Sequence, residues 1–302
     1  MKAPAIISGF TDEVSDDLVL QIKALKKLGW SNIDLRTVDG KNVSQLSDQE
    51  FDRVYHQLQN NGIDIACFCS TVANWGRDAS RDLELDLLEM KTSIRHMKKA
   101  GVRFIRIMSY KIDRPVTLGS PIEATILGNI KRIVQLAEDN DIVCVHENCE
   151  TWGGQSFEHS LRLIKEIDSP ALQLVFDTGN PVAMQDVRGR EPYSYQDPLR
   201  FLQMVKDYVV YLHIKDAQWL NGTLHYTFPG KGAGKVREIL NFIYENNMEI
   251  PISIEPHVAV VFHDPSIEAS FEQRWNNFID YGNQLVTMAE DAGITFSRKR
   301  TH

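Results

Sequence analysis

No stretch of the sequence is apolar for long enough to span a bilayer. The N-terminus, Met1-Lys-Ala-Pro-Ala-Ile-Ile-Ser8, lacks the apolar core of a secretory leader. Basic residues are in deficit: 33 Lys and Arg stand against 41 Asp and Glu, a formal net charge of −8. A surface built to neutralise phosphates needs the opposite surplus, which argues against a nucleic-acid partner. Cysteines are few (Cys67, Cys69, Cys144 and Cys149), and Cys67-x-Cys69 has the spacing of neither a zinc knuckle nor a thioredoxin-type pair. Cys67, Cys69 and Cys144 fall in apolar runs, where a thiol behaves as a small buried hydrophobe. Missing too is a Gly-x-Gly-x-x-Gly fingerprint after the first apolar run, which weighs against a dinucleotide-binding open sheet. These absences predict a cytoplasmic, reduced protein that engages neither membrane nor nucleic acid.

What is present is a repeating alternation. Eight short runs rich in apolar and β-branched residues occupy 5–10, 32–36, 63–70, 102–108, 142–147, 172–177, 209–215 and 250–255. Helical segments lie between them. Ser47 with Glu50, and Ser120 with Glu123, read as capping boxes, and Asp197 before Pro198 starts another helix. Leu18, Ile22, Leu25 and Leu28 form one apolar stripe; Ile126, Ile130, Ile133 and Ala137 form a second. Gly29, Gly62 and Gly101 stop helices just before a strand. Near-continuous apolar strands, each followed by a helix, predict an α/β fold: a (β/α)₈ TIM barrel, one domain over residues 1–302, ending in a basic frayed tail at 296–302.

Four of the last runs end in side chains able to hold a metal: Glu147, Asp177, His213 and Glu255. Their intervals of 30, 36 and 42 residues are each one βα unit long, which stacks all four at one barrel mouth on strands 5 to 8. A lone carboxylate at a strand end is more often a helix cap. Four in register would repel unless a cation holds them. Three carboxylates and an imidazole suit one divalent ion, Mn²⁺ or Mg²⁺ foremost, with Co²⁺ or Zn²⁺ also admitted, and leave positions open for substrate oxygens.

Short segments along the chain carry a further signal: GFTDEV at 9–14, GWSNIDLR at 29–36, residues 102–109, His146-Glu-Asn-Cys149, Phe176-Asp-Thr-Gly-Asn180, His213-Ile-Lys-Asp216 and Ile254-Glu-Pro-His257. In order and spacing they resemble the xylose isomerase-like TIM barrel superfamily, in its sugar phosphate isomerase/epimerase family. The resemblance implies the same four ligands, with Glu147 and Glu255 as the catalytic acid/base pair. The expected activity is a metal-dependent isomerase or epimerase of a small sugar, working by proton abstraction through an enediolate. A dehydratase of the inosose dehydratase type is the alternative, since it begins with the same step. A zinc AP-endonuclease on the same barrel is a distant third, because Ser70, Ser109 and Asn180 stand where its extra histidines are needed.

Other residues carry two readings each. Lys215 shares the inward face of His213 and either contacts substrate or pairs with a carboxylate. His257 shares the face of Glu255 and reads as a substrate contact or a supporting residue, whereas His146 faces away into the core. Arg106 and Arg36 alternate inward, to orient substrate oxygens or to pair with Asp34 and its neighbours. Trp75, Trp152 and Trp219 fall in loops at the mouth, to stack on a sugar or simply to pack. The Gly-rich loop at 229–235, with Lys231 and Lys235, reads either as an anion cradle or as a tight turn with solvated lysines. The expected partner is a small-molecule sugar, and the sequence leaves a homo-oligomer open.

Overall fold

The computed structural model describes residues 2–259 and 269–297. Among these, eight strands alternate with eight principal helices. In chain order they are β1 (Ile7–Gly9), α1 (Leu18–Leu28), β2 (Asn32–Leu35), α2 (Asp48–Asn60), β3 (Asp64–Cys69), α3 (Leu83–Ala100), β4 (Phe104–Ile107) and α4 (Pro121–Glu138). The second half follows as β5 (Val143–Glu147), α5 (Phe157–Ile167), β6 (Leu172–Asp177), α6 (Pro198–Val205), β7 (Val209–Ile214), α7 (Val236–Glu245), β8 (Ile252–Ile254) and α8 (Phe271–Asp291). The strands form one parallel sheet in the order β1-β8-β7-β6-β5-β4-β3-β2. It curls into a nearly closed TIM barrel whose seam lies between β1 and β2, and every strand falls inside the run predicted for it.

Alternation along the strands builds two cores. Inward residues Phe10, Cys67, Cys69, Val145, Val175 and Tyr211 pack inside the barrel, below the mouth. Outward residues such as Phe68, Ile105, Cys144, Leu174 and Leu212 join the layer between strands and helices. Both predicted stripes face that layer; Ile126, Ile130, Ile133 and Ala137 are fully buried. All four cysteines are buried and unpaired by disulfides.

Local signals fared unevenly. Ser47 and Glu50 form a reciprocal capping box, and Asp197 accepts from Arg200 N. Ser120 makes no side-chain cap, because Glu123 turns instead to Arg162 and to Gly119 N. Gly29 and Gly101 close their helices at φ +70° and +68°, while Asn61 caps α2 and Gly62 follows it. Two antiparallel ribbons were not anticipated: Thr37–Val38 with Lys41–Asn42, and Asp216–Leu220 with Thr223–Thr227. Their turns are Asp39-Gly40 and Asn221-Gly222, all four at positive φ, the Asx-Gly signature of a tight hairpin. Phe296, expected in a frayed tail, is instead buried and bridges Ala5; residues 298–302 lie outside the described residues.

Two substitutions test this packing by chemical denaturation. Trp152→Ala empties a fully buried site and should cost about 3–5 kcal/mol. Ser47→Ala removes only a cap and should cost about 1 kcal/mol. Equal effects would contradict the burial described for Trp152.

Candidate metal centre

Parallel register delivers the four predicted ligands to one mouth. Asp177 and His213 are direct cross-strand partners on β6 and β7, and Ser253 faces His213 on β8. Glu255 follows β8 by one residue, held by its N–H on the Ile214 carbonyl at 3.0 Å, and Glu147 ends β5. One donor atom from each of Glu147, Asp177, His213 and Glu255 lies within 4.8 Å of all the others, and all four side chains are buried.

The orientation of each ligand has a visible cause. His213 turns Nδ1 towards Glu147 Oε1 at 3.4 Å and Nε2 towards Asp34 Oδ2 at 3.6 Å. Asp34 is itself held from below, its Oδ1 accepting from Tyr211 Oη at 2.6 Å and Ser8 Oγ at 2.7 Å. A carboxylate behind the imidazole favours the Nε2–H tautomer and leaves Nδ1 to ligate. Asp177 Oδ1 accepts from the N–H groups of Gly179 and Asn180 at 2.9 and 2.7 Å, which aims Oδ2 into the site. That oxygen is buried and accepts no hydrogen bond among the described residues. Asn148 clasps the Asp177 backbone from β5, accepting from its N–H and donating to its carbonyl.

Fixed cations surround this acidic group. Arg106 Nη1 reaches Glu147 Oε2 at 3.1 Å. Arg36 grips Asp12 with two nitrogens, at 2.7 and 3.0 Å, and Glu255 Oε1 with the third at 2.6 Å. Among the described residues neither arginine pairs with Asp34; Arg36 meets Asp12, Glu13 and Glu255, and Arg106 meets Glu147. Lys215 Nζ lies 2.8 Å from Glu255, 3.4 Å from Asp177 and 3.2 Å from Asn180 Oδ1. Both guanidinium groups lie near the Phe10 ring, which meets His213 edge-on and floors the site.

The electrostatics follow from these contacts. Burial alone would raise Glu147, yet Arg106 and His213 bring it down to about 2. Against burial, Lys215, His257 and Arg36 hold Glu255 well below the usual carboxylate range. Burial pushes Asp177 up, with Lys215 only partly opposing it. Burial would lower His213, but the Asp34 and Glu147 carboxylates on either side of the ring hold it at about 10. Crowded carboxylates, an oxygen without a hydrogen bond and an imidazole that clings to a proton all describe a site short of positive charge. The donor set therefore fits a divalent ion.

The remaining predicted residues fall as follows. His257, at φ +54°, accepts or donates at Nδ1 with Glu13 Oε1 at 2.9 Å and gives its backbone N–H to the other Glu13 oxygen. His146 is enclosed in the core, its Nε2 2.9 Å from Ser109 Oγ. Trp75 and Trp219 are exposed, and Trp219 is anchored by Nε1 on the Val182 carbonyl. Of the two readings for Trp152 packing holds and the sugar contact does not: it is fully buried in the main core, edge-on to His159, because its short helical turn packs against α5. Residues 229–235 wrap the chain's own Asp216, whose carboxylate accepts from Ala217, Gly232 and Gly234 N–H.

Several neighbours escaped sequence reasoning. Asp34 was legible as an inward position of β2, but not as the residue behind His213. Tyr226 reaches the site through the second ribbon, with its ring 5.0 Å from that of His257. The Asn221-Gly222 turn was the one available signal for it. Asp12 and Glu13 sit on the helical turn after β1, Asn148 just past β5 and Asn180 at the start of a short turn; their segments carried the family resemblance, but nothing local told what their side chains would meet.

Comparison with known proteins agrees with this architecture. A family model for the xylose isomerase-like TIM barrel matches residues 22–268. Inosose dehydratase of Clostridium beijerinckii is 25% identical over 158 residues, 47% of this chain and 48% of that protein. The chain thus spans about half the length of the curated relatives it matches. The structure of the IOLI protein with a bound zinc atom aligns with a TM-score of 0.71 at 17% identity, over 97% of this chain and 99% of that one. D-allulose 3-epimerase from Methylomonas sp., in complex with D-allulose, aligns with a TM-score of 0.65 at 14% identity, over 96% and 98%. At such identities the likeness is one of fold.

Elemental analysis should find about one divalent ion per chain, lost in Asp177→Ala and His213→Ala with the far-ultraviolet spectrum retained. Stoichiometric binding in both variants would place the ion elsewhere. Because His213 keeps its proton up to about 10 without an ion, ligation at pH 8 should release close to one proton and tighten as pH rises. Calorimetry in buffers of different ionisation heat reads that number, and zero release would remove His213 from the ligand set.

Proposed function

The chain belongs to the xylose isomerase-like TIM barrel family, and from that premise we propose that it is a divalent-metal-dependent isomerase or epimerase of a small sugar or sugar derivative. One observation carries the reading. Glu147, at the end of β5, and Glu255, just past β8, flank the Asp177–His213 pair from opposite sides, Glu147 held ionised by Arg106 and Glu255 by Lys215 and Arg36.

When bound by Glu147, Asp177, His213 and Glu255, a divalent ion supplies polarisation of a carbonyl and a neighbouring hydroxyl, which acidifies the C–H between them. The protein's own groups do the rest. One glutamate takes the proton from that carbon, and the electron pair moves into the carbonyl to give an enediolate. The same or the opposite glutamate then returns a proton. Delivery to the other face of the same carbon is epimerisation; delivery to the adjacent carbon is aldose–ketose isomerisation. Both carboxylates stay ionised through the neutral range, so each is unprotonated and open to receive a proton. Lys215, an ammonium 2.8 Å from Glu255, donates to the developing oxyanion. Arg36 and Arg106 fix the carboxylates so that neither swings away from the substrate. Manganese or magnesium suits this mainly oxygen donor set, in a cytoplasmic enzyme of carbohydrate metabolism.

A second reading keeps the proton abstraction and ends in loss of water, as in the inosose dehydratase relative. The position of Lys215 favours it specifically, because an ammonium beside the base can protonate a departing hydroxyl.

Mass spectrometry in D₂O separates the two. Isomerase or epimerase product should gain one deuterium at unchanged composition; product lighter by one water selects the dehydratase. Glu147→Gln and Glu255→Gln should each lower turnover by at least ~10² while retaining weakened metal binding. Unchanged turnover in both would reject the two-carboxylate mechanism.

A further inference from the structure

A single large apolar side chain at a surface is ordinary. Two aromatic rings from separate loops, brought into contact at the barrel mouth and left open, are not. Tyr195 comes from the connection after β6 and Trp219 from the ribbon after β7, so both stand at the C-terminal end of the strands. Their ring centroids are 4.8 Å apart with planes 32° apart, a tilted stack in which Trp219 stays 38% and Tyr195 47% exposed.

Two connections tie this stack to the metal centre. Trp219 donates its Nε1–H to the Val182 carbonyl at 2.9 Å, which fixes the indole against the short turn Asn180–Ala183. The first residue of that turn, Asn180, reaches Glu147 Oε1 at 3.4 Å and accepts from Lys215 Nζ at 3.2 Å. The ribbon supplies the second connection. Ala217 pairs with Tyr226 and Trp219 with Leu224, and residues opposite each other, or two apart on one strand, share a face. Tyr226 and Trp219 therefore line the same side of the ribbon, with Trp219 roughly 7 Å nearer the hairpin tip. Tyr226 meets the His257 ring at 5.0 Å, and His257 Nε2 is 3.9 Å from Glu255 Oε1. From Glu255 through His257 and Tyr226, the series leads outward to the exposed stack.

The chemistry of the stack follows from its placement. The one polar group of Trp219 is spent on backbone, and an indole already held in place loses little freedom when a ligand lies against it. Open π faces take the C–H face of a sugar ring or the face of an aromatic ring. The stack is also no part of the ligand set, so it serves a portion of the substrate that does not react.

Resting on the proton-transfer reading above, we propose that Trp219 and Tyr195 form an outer subsite for a second ring: the reacting sugar carries a ring-shaped substituent, a further sugar or an aromatic group, which stacks at the rim.

Binding and turnover on the metal-loaded protein test this. D-fructose is compared with turanose, lactulose and isomaltulose, which carry a second sugar ring on three different hydroxyls of a fructose unit, and with 6-O-benzyl-D-fructose. Calorimetric titration gives affinity, and proton NMR in D₂O gives exchange at carbon. At least one ring-bearing compound should bind about 10-fold tighter than D-fructose, with the gain in KM rather than kcat. Trp219→Ala should abolish that advantage, Trp219→Phe should keep most of it, and the glycosyl and benzyl arms identify the kind of ring. No advantage for any ring, an advantage that survives both Trp219→Ala and Tyr195→Ala, or an equal loss for D-fructose overturns the subsite. Exchange from D-fructose then leaves the proton-transfer reading standing. Ring-dependent binding without exchange from any compound sustains the subsite and overturns that reading, and failure of every compound to bind overturns both. Sedimentation completes the test: a wild-type dimer that Trp219→Ala dissociates would assign the stack to a second copy of the chain and overturn the subsite.

Discussion

Negative charge crowded out of water at one end of the barrel is the constraint around which the rest of the site is arranged. Three carboxylates and an imidazole converge within 4.8 Å. A buried charge without a partner costs several kcal/mol, so such a group survives only if something positive is supplied. The protein supplies part of it through Arg106 on Glu147, Arg36 on Glu255 and Lys215 between Glu255 and Asp177. What these leave over is visible in Asp177 Oδ2, which accepts no hydrogen bond among the described residues, and in the proton that His213 retains. The place for a divalent ion is written in that shortfall.

The same constraint accounts for a second tier that touches no substrate. Arg36 would be free to swing were it not held on Asp12 by two hydrogen bonds, and Asp12 sits on the turn that follows β1. Arg274 of α8 in turn donates to the Asp12 and Glu13 carbonyls and steadies that turn from outside. Asp34, Tyr211 and Ser8 form a polar knot inside an otherwise apolar barrel, directly under His213. A hydrogen-bonded knot of this kind is tolerated in the interior because most of its polar atoms are matched, and it orients the imidazole above it.

The chain is similar to a dehydratase and, in fold, to an epimerase. The buried ammonium of Lys215, the loop closed upon Asp216 and the ribbon that brings in Tyr226 distinguish this mouth from the bare arrangement of four ligands. All three lie between β7 and α7, which makes that connection the natural place for specificity to be set.

Much of the architecture could be read from the chain alone, because its signals are local and periodic. Apolar runs one βα unit apart, Ser47 with Glu50, and glycines after α1 and α3 act over a few residues and need no partner from elsewhere. The convergence of Glu147, Asp177, His213 and Glu255 was legible for the same reason: a strand end is recognisable locally, and parallel register turns spacing by one βα unit into proximity. Tertiary structure alone decided which charges meet. Arg36 could as well have paired with Asp34, two residues away, but both residues face inward along one strand, and the barrel carries Asp12 and Glu255 closer to the guanidinium. Trp152 follows a ligand-bearing strand and still ends in the core, since its helical turn packs against α5. The Gly-rich loop closes on Asp216 only because β7 and the ribbon bring residues 216 and 232 together. Pairings across such separations depend on closure of the whole barrel, a property that no window of sequence contains.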